Sequence, residues 1–119
     1  MKNISSKSYK EVWIAFVNIN AEDGYSFSDL IDYEDKNKEK ISGAVAYIAL
    51  KAPEIHGALD ILCRGLQEYH FKIESIYEIR NAHHLFECNE LSDNDKEEIR
   101  WLLKSKYVFK FIDKLWPYK

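Results

Sequence analysis

The fold is decided by residues 43–80, which read GAVAYIALKAPEIHGALDILCRGLQEYHFKIESIYEIR. Residues 43–50 form an apolar run of strand length, and Pro53 opens a segment whose apolar residues recur at helical spacing. Residues 71–80 then alternate in the two-residue rhythm of a half-buried strand. A strand, a helical crossover and a second strand joined by short connections predict a parallel pair with right-handed topology.

The alternation within the second of these strands predicts which of its side chains face the core. The predicted inward set is Phe71, Ile73, Ser75, Tyr77 and Ile79. The charged residues between them are predicted to face solvent.

The flanking segments complete the predicted architecture. Residues 12–19 are apolar at both odd and even positions, which is typical of a central strand covered on both sides. Ser92 is predicted to cap a second helix, because a hydroxyl followed by acidic residues suits the positive end of the helix dipole. Residues 107–112 read as a last strand. We therefore predict an α+β fold, a two-layer sandwich with a mixed four-stranded sheet and both main helices on one face, ferredoxin-like in the broad sense.

Length and charge restrict the function. A chain of 119 residues predicts a single globular domain, residues 1–119. Seven acids lie within residues 20–40 and eight within residues 74–98. Such stretches repel phosphate backbones, so we expect no direct nucleic-acid binding, and they favour a basic partner. The alternative is that these charges are solvated faces that keep the protein soluble.

The chain also carries few signs of export. Two cysteines cannot form a disulfide-rich scaffold. The apolar run at residues 12–17 lacks a convincing signal-peptide cleavage site, and no segment approaches the length of a membrane span. We therefore expect a cytoplasmic protein that does not act at a membrane.

One group of residues has the chemistry of a metal site. The group is His83, His84, Glu87 and Cys88, with His70 or Cys63 as further candidates. These are ligand types that zinc accepts, but their spacing matches no established ligand pattern, and adjacent histidines on a strand would point to opposite faces. A nucleophilic pair of Cys88 with a histidine would also need an oxyanion hole. We expect no metal, no cofactor and no catalytic residue.

Aromatic residues accompany the acids in the long connection and in the tail. Aromatic side chains set in a polar rim are typical anchors of protein interfaces, although they can equally pack into the core. The predicted partner-binding residues are Asp29, Asp32, Tyr33, Glu34, Asp35 and Trp116.

In layout, the chain resembles the small bacterial immunity proteins of toxin–immunity pairs. The resemblance rests on the opening strand at residues 12–17, the crossover at 44–69, the strand at 72–79 and the closing strand at 107–111. It implies a non-enzymatic cytoplasmic protein that binds a cognate toxin domain and blocks its active site, for example that of a nuclease with basic phosphate-binding residues. A small-molecule sensor and a small metal-dependent enzyme are the alternatives.

Overall fold

The computed structural model describes residues 6–25, 43–112 and 116–118. A 3-10 helix (Ser6–Glu11) leads into β1 (Val12–Ala21), followed by β2 (Gly43–Lys51), α1 (Ile55–Glu68), β3 (Phe71–Asn81), α2 (Ala82–Glu87), α3 (Asp93–Lys104), β4 (Phe109–Phe111) and β5 (Trp116–Tyr118). The predicted α+β class is confirmed. Within these ranges, none of the helices combines the length and apolar character needed to cross a membrane.

β1 is the central strand of the sheet. The strand order is β3-β1-β2-β4, and β5 also pairs with β2. All pairings among the described strands are antiparallel, so β2 and β3 run in the same direction on either side of β1. The predicted parallel pair and the predicted mixed sheet are therefore wrong. The predicted helical crossover is present as α1, which connects β2 to β3. These two strands are not neighbours, because β1, which is apolar on both faces, lies between them.

Helices lie on both faces of the sheet. On one face, Ala15 and Val17 of β1 belong to a buried cluster with Leu62 of α1. On the other, Val12 and Ile14 belong to a second cluster with α2 and α3, whose helical members are Ala82, Leu85, Ile99 and Leu102. The prediction that both main helices share one face is wrong, because alternate residues of β1 present apolar surface to both sides. The second cluster includes the start of β1 but not its far end, so the sheet and α1 form the predicted two-layer part of the fold.

Side-chain caps fix where each helix begins. Ser92 and Asp95 form a capping box at the start of α3, which confirms the helix predicted there. Glu54 caps α1 by accepting a hydrogen bond from the Gly57 N–H at 2.9 Å. Asn81 accepts one from the His83 N–H at 3.0 Å and so turns the end of β3 into α2, a helix that the sequence patterns did not predict.

Candidate functional site

Most of the predicted partner-binding residues lie outside the residues that the structure describes. These are Asp29, Asp32, Tyr33, Glu34 and Asp35, which fall in the segment 26–42. Trp116 is the first residue of β5, where its backbone lies opposite Val45 of β2. The predicted contacts therefore stay predictions.

Two bulges reorganise β3, the edge strand on the side of the sheet away from β4. Its register against β1 shifts between Phe16 and Val17 and again between Asn18 and Ile19. The β3 residues left without a partner at these shifts are Tyr77 and Glu74. An inserted residue bends the strand and re-aims its side chain, and bulges are common at sheet edges and next to functional sites.

The bulges exist because the isoleucines of β3 are spaced by three rather than two. Ile73, Ile76 and Ile79 lie opposite Ile19, Val17 and Ala15, respectively. Directly opposed residues share a face of the sheet, so each extra residue between isoleucines must be accommodated by a bulge. The predicted inward positions of Ser75 and Tyr77 are therefore wrong. The missed signal is the pattern Ile-x-x-Ile-x-x-Ile at positions 73–79.

The result is an exposed group that we call the β3 surface, consisting of Glu74, Ile76, Tyr77 and Glu78. Tyr77 is 62% exposed and Ile76 is 42% exposed. Both glutamates are also exposed. Apolar and aromatic side chains beside carboxylates at a strand edge give this surface the composition of a protein-interaction site.

Tyr77 differs from the other exposed aromatic residues of the described ranges because it has no ring partner among them. The other rings are held by Tyr25–His70 stacking, by Tyr69 against Phe109 and Phe111, by Trp101–Tyr107 stacking, and by Phe86 against Tyr9. Tyr77 is also the most exposed of them. Within the described part of the chain, no ring contact accounts for the position of Tyr77, whose side chain is 62% exposed.

A charged clamp adjoins the β3 surface on the second face of the sheet. The guanidinium of Arg80 lies 3.3 Å from a Glu78 oxygen and donates two hydrogen bonds to Glu90, at 2.8 and 3.3 Å. The hydrogen bonds from Arg80 lower the pKa of Glu90, and the same contacts raise the pKa of Arg80. Both groups are therefore fixed in their charged forms.

A small cavity of about 160 Å³ lies beside this clamp. It is lined by Ile14, Phe16, Tyr47, Glu78, Arg80, Leu85 and Glu90. Because Glu78 lines the cavity and also belongs to the β3 surface, the cavity and the edge strand form one continuous region of acidic and apolar character.

The candidate metal ligands separate into two pairs along α2. His83 Nε2 lies 2.9 Å from Glu87 Oε1, and Cys88 Sγ lies 3.8 Å from His84 Nε2. The adjacent histidines diverge as expected, but on a helix rather than a strand, so each meets the residue four positions later. Of the other candidates, His70 stacks on Tyr25, and Cys63 is exposed on α1. Among the described residues, no three or more histidine, cysteine, aspartate or glutamate side chains come together in a group that could hold a metal ion.

A larger groove lies at the opposite edge of the sheet, between α1 and the segment that leads into β4. It has a volume of about 540 Å³. Its aromatic walls are Tyr69, Tyr107 and Phe109, and its charged rim includes Arg64 and Lys106. Its size falls within the range of small-molecule sites.

Comparison with known proteins gives no relative. The chain matches no protein-family model, no curated protein and no solved structure.

Proposed function

We propose that this chain is a non-enzymatic protein-binding domain that neutralises a cognate bacterial toxin, as the immunity proteins that it resembles do. The observation that carries the proposal is the β3 surface, where Tyr77 and Ile76 are exposed between Glu74 and Glu78. Exposed aromatic residues within an acidic rim suit a partner whose active site is basic. The β2–α1–β3 unit around β1 supports the broad likeness to ferredoxin-like folds.

The proposed mechanism is occlusion of the toxin's substrate site. Asp29, Asp32, Glu34 and Asp35 would pair with the lysines and arginines that a nuclease uses to hold phosphate, while Tyr33 and Trp116 would provide apolar anchoring. The same acids would repel nucleic acid, so the chain itself would not bind it. The proposed site of action is the cytoplasm, where an immunity protein protects the cell that makes the toxin.

The neighbouring reading frame supplies the test of this function. The proposal predicts that this reading frame encodes a toxin with a variable C-terminal domain, that this domain expressed alone arrests growth, and that co-expression of this chain restores growth. The purified pair should associate more weakly as salt rises, because charge pairs at an interface are screened. Failure of the intact chain to bind that domain or to protect cells from it would remove the proposal.

Charge reversal tests the predicted contacts within that pair. Replacement of Asp29, Asp32, Glu34 and Asp35 by lysine should abolish protection, because each change sets like charges against each other at the interface. A matched fourfold reversal of exposed acids on α1 and α3, namely Asp60, Glu68, Asp93 and Glu97, should leave protection intact. Unchanged affinity and protection in the fourfold variant would show that the segment 26–42 is not the binding surface.

The second candidate function is a small-molecule sensor, and the groove between α1 and β4 favours it. Thermal unfolding in the presence of a panel of metabolites should reveal a ligand as an increase in the melting temperature. The variant that locates the ligand is Tyr107→Ala, which removes one aromatic wall of the groove and should abolish the increase in melting temperature. Stabilisation that persists in this variant would place the ligand elsewhere.

A further inference from the structure

We infer that Tyr77 is the anchor with which the chain holds a basic protein partner, flanked by Glu74 and Glu78 as the contacts for that partner's lysines or arginines. The inference rests on the proposed function and names a binding residue outside the segment 26–42. Its support is the position of Tyr77 in the strand, the exposure of its ring without a ring partner among the described residues, and the charge around it.

The position of Tyr77 is set by the backbone. It is the inserted residue of a bulge, flanked by Ile76 and Glu78, which pair with Val17 and Phe16. Regular alternation would have turned residue 77 toward the α1 face, but the bulge instead leaves it 62% exposed. Tyrosine is enriched among residues that contribute most to binding, because a large rigid ring buries much area with little loss of entropy.

The bulges also indicate how the partner binds. Tyr77 and Glu74 interrupt the ladder at two places within four residues, and bulges together with charged side chains oppose the addition of another strand to an edge. The partner is therefore held by side chains of the β3 surface rather than by backbone pairing. Its matching feature is a pocket deep enough for a phenol ring, with cations at the rim.

The negative charge around Tyr77 indicates that the partner's binding surface is positively charged. Asp23, Glu74, Glu78 and Glu90 lie on or beside the β3 surface against two bases, Lys72 and Arg80, a net charge of −2. The two cations are shared among more acids than they can neutralise, since Lys72 Nζ lies 3.5 Å from Asp23 and 4.0 Å from Glu74, and Arg80 contacts both Glu78 and Glu90. A second copy of the chain would bring a like-charged surface against this one, so charge complementarity favours a basic partner.

The test uses an inactive form of the toxin domain from the neighbouring reading frame, with affinity measured by calorimetry. Tyr77→Ala should weaken binding by about thirtyfold, as expected when an interface anchor is lost. Tyr77→Phe should retain most of the affinity, because the ring remains. The matched control is Trp101→Ala, because its ring is 47% exposed and lies 5.0 Å from Lys110 Nζ of β4 at the opposite edge of the sheet, so its removal should change the affinity by no more than about twofold.

The outcomes separate the anchor from the function. If the intact chain binds and protects but Tyr77→Ala binds equally well, the anchor inference is overturned and the proposed function stands. If the intact chain neither binds the domain nor protects, the proposed function fails. The other possible occupant of the β3 surface is a second copy of this chain, and sedimentation of the chain alone tests for it. Self-association that is lost in Tyr77→Ala would assign the surface to that second copy and overturn the inference.

A defined peptide tests the charge preference without the toxin. A short peptide that alternates lysine and leucine should shift the backbone NMR signals of residues 74–78, and its glutamate counterpart should not. The double variant Glu74→Lys, Glu78→Lys should lose these shifts. Equal NMR shifts at the acidic start of α3 would show that the basic peptide binds any acidic surface of the chain. That result would overturn a specific role for the β3 surface.

Discussion

Gly65 shows how one missing side chain positions an edge of the sheet. It is a buried residue of α1, and the ring of Phe109 in β4 lies directly against it. A Cβ atom at this position would lie 2.6 Å from Phe109 Cε2, closer than real Cβ contacts allow. The missing side chain at Gly65 thus lets α1 pack closely against β4.

A pair of glycine substitutions tests this contact. Gly65→Ala should lower the free energy of unfolding by up to about 2 kcal/mol, since overpacking costs about 1–3 kcal/mol and the gain of about 1 kcal/mol in helix propensity offsets only part of that cost. Gly57→Ala is the control, because a Cβ there would meet Ala52 Cβ at an acceptable 3.4 Å. Urea denaturation measures both variants. Equal stability of the two would show that Phe109 moves aside at no cost.

The Arg80 clamp should make stability depend on pH. Arg80 lowers the pKa of Glu90 in the folded chain, so the Glu90 carboxylate stabilises the fold above its ordinary pKa. That contribution is lost as pH falls through the folded pKa, that is, below about pH 4.3. Glu90→Gln should therefore show a shallower loss of stability in acid than the parent chain, measured by urea midpoints across this range. Glu54, whose pKa is also lowered, remains in both proteins and serves as an internal reference. Identical pH profiles would contradict this role for Glu90.

Ile76 marks the limit of what alternation along a strand can predict. Period-two reading correctly places Phe71, Ile73 and Ile79 inward, since all three pack on the α1 face. It fails at Ser75 and Tyr77 because the choice between an unbulged strand and a bulged one depends on β1, which supplies the opposing residues. The candidate site lies at this point of failure, so the pattern of β3 alone did not reveal Tyr77.

At the scale of elements, α3 is fixed at both ends by side chains. Its start is the capping box of Ser92 and Asp95, which the sequence signals. Its end is held by Lys51 of β2, whose Nζ donates to the carbonyls of Leu102 and Ser105 at 2.9 and 2.7 Å. A cation at this end also complements the helix dipole. The second cap could not be predicted, because Lys51 is distant in sequence.

Removal of the Lys51 amine tests the tertiary cap. Lys51→Met keeps the aliphatic stem but removes the charged donor to both carbonyls, of which that of Leu102 still accepts from Ser105, so we expect a loss of about 1–3 kcal/mol in the free energy of unfolding. Lys104→Met is the control, because Lys104 is exposed in the last turn of the same helix and should change stability by less than about 0.5 kcal/mol. Chemical denaturation compares them. Equal effects of the two changes would contradict the cap.

Element prediction succeeded where a local signal was long and regular. β1, β2, α1 and α3 each follow from periodicity together with a start signal, such as Pro53 or Ser92. α2 was missed because it is only six residues long and directly follows β3. Its signal is the Asn81 side chain, which caps the helix at the point where β3 ends.

At the scale of the whole molecule, the arrangement of the elements depended on β1. The continuous segment 43–80 contains the strand–helix–strand unit but carries no information on which strand lies between β2 and β3. The two apolar faces of β1 indicated a central position, and this is confirmed by the buried clusters on both sides. The apolar pattern of β1 could not reveal the direction of this strand relative to β2 and β3. β1 runs opposite to both, which makes the sheet antiparallel.

The central position of β1 has a consequence for hydrogen exchange. Its backbone hydrogen-bonds to β2 on one edge and to β3 on the other, while β4 at the far edge pairs through only three residues. Amide protons that are bonded within β1 should therefore exchange with deuterium only through the rarest, near-global openings, whereas those of β4 should exchange through local fraying. Mass spectrometry of deuterated fragments would show this as the slowest uptake in residues 12–21, and rapid uptake there would mean that the sheet opens along its centre.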